Sequence, residues 1–357
     1  MQKILIMMLI SLSLSILEAG DIFPVPKGEY APRIYTAQKP VSEIIIDGRL
    51  DDESWLLTPF SEDFVDIEGE HKPAPHYRTR MKMLWDDNAL YIGAELIEEH
   101  IWATLSQRDA VIFHDNDFEV FIDPDGDTHD YYELEINAMG TLWDLFLIKP
   151  YRDRQQVAVN AWDIRDIEYA IFHDGSLNDP TDIDKAWYVE LKLPMHVLAE
   201  CAHKEVPPRE NDYWRINFSR VHWDTKVLDG SYKKIPGRPE YNWVWSPQGL
   251  VAMHYPERWG FLFFSHATAN EEIVPPNIPI IESAKAYLRQ LYYMQKQYYM
   301  DKGKYASSLK KLKAKPFRIS GRKLPLEIET CSGSYILTLK AFDDIPELHI
   351  REDGLIW

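Results

Sequence analysis

The most informative part of the sequence is a pair of neighbouring stretches, Phe118-Glu-Val-Phe-Ile-Asp-Pro-Asp-Gly-Asp127 and Tyr131-Tyr-Glu-Leu-Glu-Ile-Asn137. In the first stretch every second residue from Phe118 to Ile122 is apolar, which is the period-2 pattern of a half-buried strand. The second stretch repeats this alternation, with Leu134 and Ile136 on the inward face. We therefore predict two strands joined by a carboxylate-rich turn.

The outward face of the second strand carries Glu133, Glu135 and Asn137. An Asn beside carboxylates on an open sheet face can hydrogen-bond vicinal hydroxyls, as a sugar ligand would require. Antiparallel sheets also commonly leave one polar face in water. The pattern alone leaves both interpretations open.

Most of the remaining sequence also reads as short strands separated by turn residues. Glu43–Gly48 reads as a strand entering a turn, and Leu50–Leu57 as a short helical turn that buries Trp55. Thr79–Trp85 and Leu90–Leu96 read as a hairpin. Further strands are predicted at 142–148, 167–172, 186–193, 213–221 and 259–264. This succession predicts a mainly β protein with an antiparallel β-sandwich.

Composition limits the class of partner. The formal net charge of −18 argues against nucleic acid or an anionic membrane surface, because either would require a basic patch. The aromatic share of 13% suits stacking on sugars and packing in sandwich cores equally well. With only Cys201 and Cys331 in the chain, two free thiols and one disulfide both remain open.

The chain of 357 residues is long enough for two domains after processing. Residues 1–20 have the pattern of a signal peptide, with Lys3 before an apolar run. That run is short for a membrane-spanning helix, so we expect a secreted, periplasmic or cell-surface protein without membrane insertion after cleavage. The predicted order is a signal peptide (1–20), a lead segment (21–39), a β-sandwich (40–266), a Pro-rich linker (267–279) and a small α+β domain (280–357).

The order of several motifs resembles the carbohydrate-binding module family 9-like group, which has a DOMON-like β-sandwich. The motifs are Ile46-Asp-Gly-Arg-Leu-Asp-Asp-Glu-Ser-Trp55, Leu84-Trp-Asp-Asp-Asn-Ala-Leu-Tyr-Ile92, Asn116-Asp-Phe-Glu-Val-Phe-Ile-Asp123, Tyr132-Glu-Leu-Glu-Ile-Asn-Ala-Met-Gly140, Trp187-Tyr-Val-Glu-Leu-Lys-Leu-Pro194, Trp214-Arg-Ile-Asn-Phe-Ser-Arg220 and His254-Tyr-Pro-Glu-Arg-Trp-Gly260. The resemblance implies a non-catalytic module that binds oligosaccharides or polysaccharide chain ends between aromatic side chains. It also implies structural calcium in some members, and an accessory role beside xylan-degrading enzymes.

Candidate sugar-binding residues combine aromatic faces with hydroxyl partners. Alternation places Trp243 and Trp245 on the same strand face. The tryptophans embedded in the motifs, Trp55, Trp85, Trp187 and Trp259, are assigned to the core. The predicted carbohydrate-binding residues are Trp143, Trp223, Trp243, Trp245, Glu135, Asn137 and Arg220.

The turn after residue 122 concentrates carboxylates at Asp123, Asp125, Asp127 and Asp130. Hard oxygen ligands around a glycine suit calcium, while a solvated Asp/Gly turn has the same composition. We expect no required cofactor, with structural calcium at these four residues as the candidate ion. The histidines are scattered without the spacing of a zinc motif.

The segment Glu271–Pro279 is a Pro-rich linker. Beyond it, an apolar stripe predicts an amphipathic helix that ends near Gly303, followed by strands at 326–330, 334–340 and 348–350. This segment resembles the globular half of a type IV pilin or pseudopilin, through Gln297-Tyr-Tyr-Met-Asp-Lys-Gly-Lys-Tyr-Ala-Ser-Ser-Leu-Lys-Lys-Leu312 and Asp353-Gly-Leu-Ile356. The long apolar N-terminal helix of a pilus subunit is missing, so we expect a docking role towards a protein partner, or a spacer role, in place of filament assembly. A helix-capped sheet with no separate function is the equal alternative.

The sequence therefore predicts a secreted carbohydrate-binding protein that supports carbohydrate catabolism. One alternative is a glycoside hydrolase acting on O-glycosyl bonds, although 57 acidic residues make a carboxylate pair uninformative by itself. A second alternative is a surface assembly protein that binds another protein.

Overall fold

The computed structural model describes residues 22–153 and 156–357. The predicted signal peptide lies outside these residues. Among the helices of the described ranges, none combines the length and the apolar character that crossing a bilayer requires.

The first part of the chain is built almost entirely of strands. In the described residues they are β1 (Ile34–Lys39), β2 (Val65–Asp66), β3 (Thr79–Trp85), β4 (Ala89–Ile97), β5 (Asp117–Asp123), β6 (Tyr131–Asn137), β7 (Leu142–Leu147), β8 (Ala158–Val159), β9 (Glu168–Asp174), β10 (Ala186–Pro194), β11 (Tyr213–His222), β12 (Thr225–Leu228), β13 (Ser231–Lys234), β14 (Tyr241–Val244) and β15 (Gly260–Thr268). Short helices α1 (Glu53–Leu57) and α2 (Met195–Leu198) and 3-10 turns at Ile112–His114 and Pro256–Arg258 lie between them.

The strands form two layers. One layer has the order β8-β7-β6-β5-β11-β15, with β14 beside β11 and β2 beside β14, and the other has the order β3-β4-β10-β9. Strand β1 pairs in parallel with β15 and with β3, and so joins the layers. This strand lies in the stretch 21–39 that the sequence assigned to a lead segment. Apolar side chains from both layers fill one core, and the β-sandwich prediction is confirmed.

Most predicted strands are present, and the buried positions of Trp55, Trp85, Trp187 and Trp259 confirm their assignment to the core. The prediction of a strand at 43–48 is wrong, since this segment is an irregular loop. Two backbone N–H groups of this loop donate instead to the carboxylate of a residue on β10.

That residue is Glu190, which is buried between the loop and α1. Its Oε2 accepts hydrogen bonds from the backbone N–H groups of Asp47 and Gly48, and its Oε1 accepts one from Trp55 Nε1 at 2.8 Å. Gly48 has φ +85°, and a Cβ there would lie 2.7 Å from the backbone of β9. One carboxylate from β10 thus holds Asp47, Gly48 and Trp55 of the motif that runs from Ile46 to Trp55.

The C-terminal part contains a long helix and small antiparallel sheets. Its elements are α3 (Ile280–Lys302), α4 (Leu309–Leu312), β16 (Arg318–Ile319), β17 (Arg322–Lys323), β18 (Leu326–Cys331), β19 (Ser334–Leu339) and β20 (Leu348–Arg351). Strands β18, β19 and β20 form one sheet, and β16 pairs with β17. Helix α3 ends at Gly303, which has φ +66°, as the sequence predicted. Cys201 and Cys331 are free thiols.

Candidate functional site

Three carboxyl groups lie side by side on the outer face of the first layer. Glu119 of β5 is directly opposite Glu135 of β6, and Glu133 lies two positions away on the same face of β6. Trp143 of β7 is the next neighbour of Glu135 across the sheet. All three glutamates are at least nine-tenths buried. The alternation of β5 and β6 therefore creates a ladder of buried acidic groups.

This ladder lines a cleft of about 350 Å³. Trp143 and Tyr151 border the cleft, and Tyr151 is 41% exposed. Asn242 of β14 and His254 add polar groups. His254 Nδ1 lies 2.8 Å from the Tyr131 hydroxyl. The volume lies within the range of small-ligand pockets, and the lining combines apolar, aromatic and a few polar groups as such pockets do.

Burial dominates the electrostatics of the ladder. It raises the pKa of Glu119 to about 7, and it holds the pKa of Glu133 and Glu135 well above the ordinary range of a carboxyl group. The negative charge of Glu119 raises the pKa of both neighbours further. Near neutral pH these groups therefore include protonated carboxyls, which donate as well as accept hydrogen bonds.

Part of this polar surface has no partner within the protein. Glu135 Oε2 accepts a hydrogen bond from the backbone N–H of Phe113 at 2.9 Å. Glu133 Oε2 is buried and has no hydrogen-bond partner in the described chain, and His254 Nε2 lies 4.0 Å from it. A ligand with several hydroxyls would satisfy such groups.

Of the predicted sugar-binding residues, the structure places Glu135 and Trp143 at the cleft. Asn137 is fully buried, and its side-chain amide donates to the Leu105 carbonyl and to Asp115. Because these hydrogen bonds use the donors of its amide inside the protein, Asn137 holds the loop before β5 and offers no free amide donor to a sugar.

The other predicted sugar-binding residues, Trp223, Trp243, Trp245 and Arg220, do not line the cleft. Trp243 and Trp245 share a face, as alternation predicted, but it is the inner face, and both are buried in the core. Arg220 is also fully buried, with its Nη2 2.6 Å from Glu98 Oε2. Trp223 donates from Nε1 to the Phe113 carbonyl, and Lys234 Nζ lies 3.6 Å from its ring centroid. In this structure none of these four presents an open face to the cleft.

Sequence reasoning did not select Glu119, Glu133, Tyr151, Asn242 or His254. The alternation of β5 and β6 already placed both glutamates on the polar face, so their selection needed only the strand register. No local pattern identified the other three, because tertiary packing brings their segments to the cleft.

The predicted calcium turn connects β5 and β6. The carboxylates of Asp123, Asp125 and Asp127 come within 4.8 Å of one another. Asp130 is not in this group, and its carboxylate lies 3.9 Å from His203 Nε2. Both oxygens of Asp123 accept backbone N–H groups, but a carboxylate oxygen has a second lone pair for a cation. Three of the four predicted ligands therefore fit a hard cation.

Comparison with known proteins gives one family match. Residues 46–145 match the family described as "Carbohydrate family 9 binding domain-like", and the matched segment contains β5, β6 and Trp143. No curated protein matches the chain.

Three solved structures resemble the chain at low identity. A Bacteroides uniformis protein assigned to carbohydrate binding is 16% identical over 66% of this chain and 100% of that chain, with a TM-score of 0.49. A family 9 carbohydrate-binding module from Caldicellulosiruptor kristjanssonii in complex with cellotriose is 14% identical over 69% of this chain and 100% of that chain, with a TM-score of 0.42. A Caldicellulosiruptor kristjanssonii module of the same family in complex with glucose is 14% identical over 68% of this chain and 100% of that chain, with a TM-score of 0.41. Residues 46–145 of this protein thus form a segment similar to the carbohydrate family 9 binding domain-like family.

Proposed function

We propose that this protein binds a neutral saccharide in the cleft above Glu119, Glu133 and Glu135, without hydrolysing it. The observation that carries the proposal is the cleft that this carboxyl ladder lines beside Trp143 and Tyr151, in which the buried Glu133 Oε2 has no hydrogen-bond partner among the described residues. The family match supports it, because the matched segment supplies the ladder and Trp143.

The chemistry of the cleft favours vicinal hydroxyls. Ionised carboxylates accept two hydroxyl donors, and protonated ones donate to a ring or hydroxyl oxygen. The rings of Trp143 and Tyr151 can stack on the apolar face of a pyranose. A net charge of −18 and three buried carboxyls oppose a uronate, so we propose neutral glycans of the xylan or cellulose type.

The arrangement of the carboxyl groups favours binding over hydrolysis. Glycoside hydrolysis uses two carboxyl groups that flank the scissile bond. Here Glu119, Glu133 and Glu135 stand on adjacent strands of one sheet face and so line the same wall of the cleft. Glu240, just before β14, also lines the cleft, so our proposal of a non-catalytic module rests on the family match as well, which is to a binding domain.

Two further proposals extend the sequence predictions. The turn residues Asp123, Asp125 and Asp127 hold a calcium ion that stiffens the connection between β5 and β6. The signal-like segment 1–20 directs the protein out of the cytoplasm, where saccharide capture supports carbohydrate catabolism.

Calorimetric titration with neutral xylo- and cello-oligosaccharides tests the binding proposal. Tyr151→Ala and Trp143→Ala should each weaken binding about fivefold or more, since a lost stacking contact costs on the order of 1 kcal/mol. Tyr169→Ala is the matched control, because Tyr169 is 37% exposed on β9 and does not line the cleft. It should leave the affinity unchanged.

Two results would contradict the proposal. One is equal affinity in all three variants, which would place any bound sugar elsewhere. The other is release of reducing sugar in the same samples, which would show hydrolysis.

A further inference from the structure

A second polar cluster lies on the opposite side of β11 from the cleft. Val221 lines the cleft, whereas the next residue, His222, points to the other face of the strand. There His222 meets His76, from the loop before β3, and Asp224, from the start of the β12–β13 hairpin. One ligand atom from each of the three side chains lies within 4.8 Å of the other two. They border a separate cavity of about 100 Å³.

The hydrogen-bonding contacts of His222 involve one of its two ring nitrogens. His222 Nδ1 lies 3.3 Å from Glu98 Oε2 and 3.2 Å from Asn116 Nδ2. Glu98 is in turn held by Arg220 Nη2 at 2.6 Å. This leaves Nε2 of His222 as the nitrogen available to a ligand. A carboxylate behind a histidine is the outer-shell arrangement that orients metal-binding imidazoles.

The other two side chains are also positioned by their neighbours. Asp224 Oδ2 accepts hydrogen bonds from Arg238 Nη1 at 2.6 Å and from the Tyr241 hydroxyl at 3.3 Å, which leaves Oδ1 open. The His76 ring packs edge-on against Trp243, with ring centroids 4.8 Å apart, and against His222 at 5.1 Å. The three ligand groups therefore converge before any ion binds.

We propose that His76, His222 and Asp224 form a binding site for a divalent transition-metal ion of the zinc class. Two imidazole nitrogens and one carboxylate are a ligand set suited to zinc, whereas calcium prefers oxygen ligands alone. The ion would connect the loop before β3 to the β12–β13 hairpin. The site is separate from the saccharide cleft and from the aspartate turn, and it does not depend on the proposed function.

Zinc titration of the chelator-treated protein, in a buffer with excess calcium, tests this proposal. Calcium occupies oxygen-only sites under these conditions, so the zinc signal reports nitrogen-containing sites. We expect one tight equivalent of zinc for the unmodified chain. His76→Ala and Asp224→Asn should each lower the affinity at least about tenfold, as losses in metal sites commonly do.

His71→Ala is the matched control, because His71 is exposed on the same loop and lies outside the cluster. It should bind zinc like the unmodified chain. Since His76 is also exposed, we expect its variant to fold, and circular dichroism would verify this. Cobalt(II) provides a second measurement: its visible absorption should show nitrogen coordination that disappears in His76→Ala.

Two outcomes would overturn the proposal. One is the absence of a tight zinc equivalent in the unmodified chain. The other is an equal zinc affinity in the His76→Ala and His71→Ala variants, which would assign the zinc to adventitious histidines.

Discussion

At the residue scale, the buried carboxyl of Glu119 links protein stability to pH. Burial raises its pKa from 4.5 to about 7, so the folded protein retains a proton that the unfolded chain releases. The contribution of Glu119 to the free energy of unfolding is therefore full below pH 4.5. It falls as the pH rises from about 4.5 to about 7 and is constant above that.

The variant Glu119→Gln keeps the shape of the side chain and removes its ionisable carboxyl group. Above pH 7 we expect it to be more stable than the unmodified chain by on the order of 2 kcal/mol, and the difference should vanish near pH 4.5. Urea unfolding at several pH values measures both. Glu329→Gln, at an exposed position of β18, is the control for the same substitution outside the cleft. A pH-independent effect of Glu119→Gln would refute this explanation.

At the element scale, strand alternation predicts which side chains share a face but not where that face points. For β5 and β6 the polar face forms the cleft, as the alternation suggested. Trp243 and Trp245 also share a face, yet it is the inner face of the sandwich. The alternation within β14 is compatible with either face pointing into the core. The register of β14 against β11 decides which face does so.

The turn between β5 and β6 supplies the prediction at this scale. If calcium binds there, adding it to chelator-treated protein should raise Tm by roughly 5 °C at a hundredfold excess over Kd, because it binds only the folded turn. Asp125→Asn should abolish the rise. Asp130→Asn should retain it, because Asp130 lies outside the converging group. Thermal unfolding followed by circular dichroism measures the shift, and loss of the rise in Asp130→Asn alone would contradict the assignment.

At the scale of the whole molecule, two ion pairs, one of them buried on both sides, connect helix α3 to the sandwich. Glu282 of α3 lies 2.6 Å from Arg215 of β11, and both side chains are almost fully buried. Lys296 of α3 lies 2.5 Å from Asp153, which follows β7. One apolar cluster also combines residues of the C-terminal part with Phe23, from before β1. The C-terminal part therefore packs on the sandwich.

Glu282→Ala would leave the Arg215 charge buried and deprived of this partner. We expect a loss of about 3–5 kcal/mol in the free energy of unfolding. Glu205→Ala is the control, because it breaks an exposed pair with Arg209 and should change stability by less than about 0.5 kcal/mol. Chemical denaturation measures both variants. Equal effects would mean that the buried pair does not stabilise the packing of α3.

Local side-chain periodicity predicted most of the strands, their alternation and the order of motifs that indicates a β-sandwich, although it wrongly placed a strand at 43–48 and left β1 in the lead segment. It also placed Glu135 and Trp143 among the candidates. Only the tertiary structure brought Glu119, Glu133, Tyr151 and His254 to one cleft, and His76 to His222 and Asp224. The physical reason is that register, layer packing and loop placement depend on contacts between segments far apart in the chain, which local periodicity does not encode.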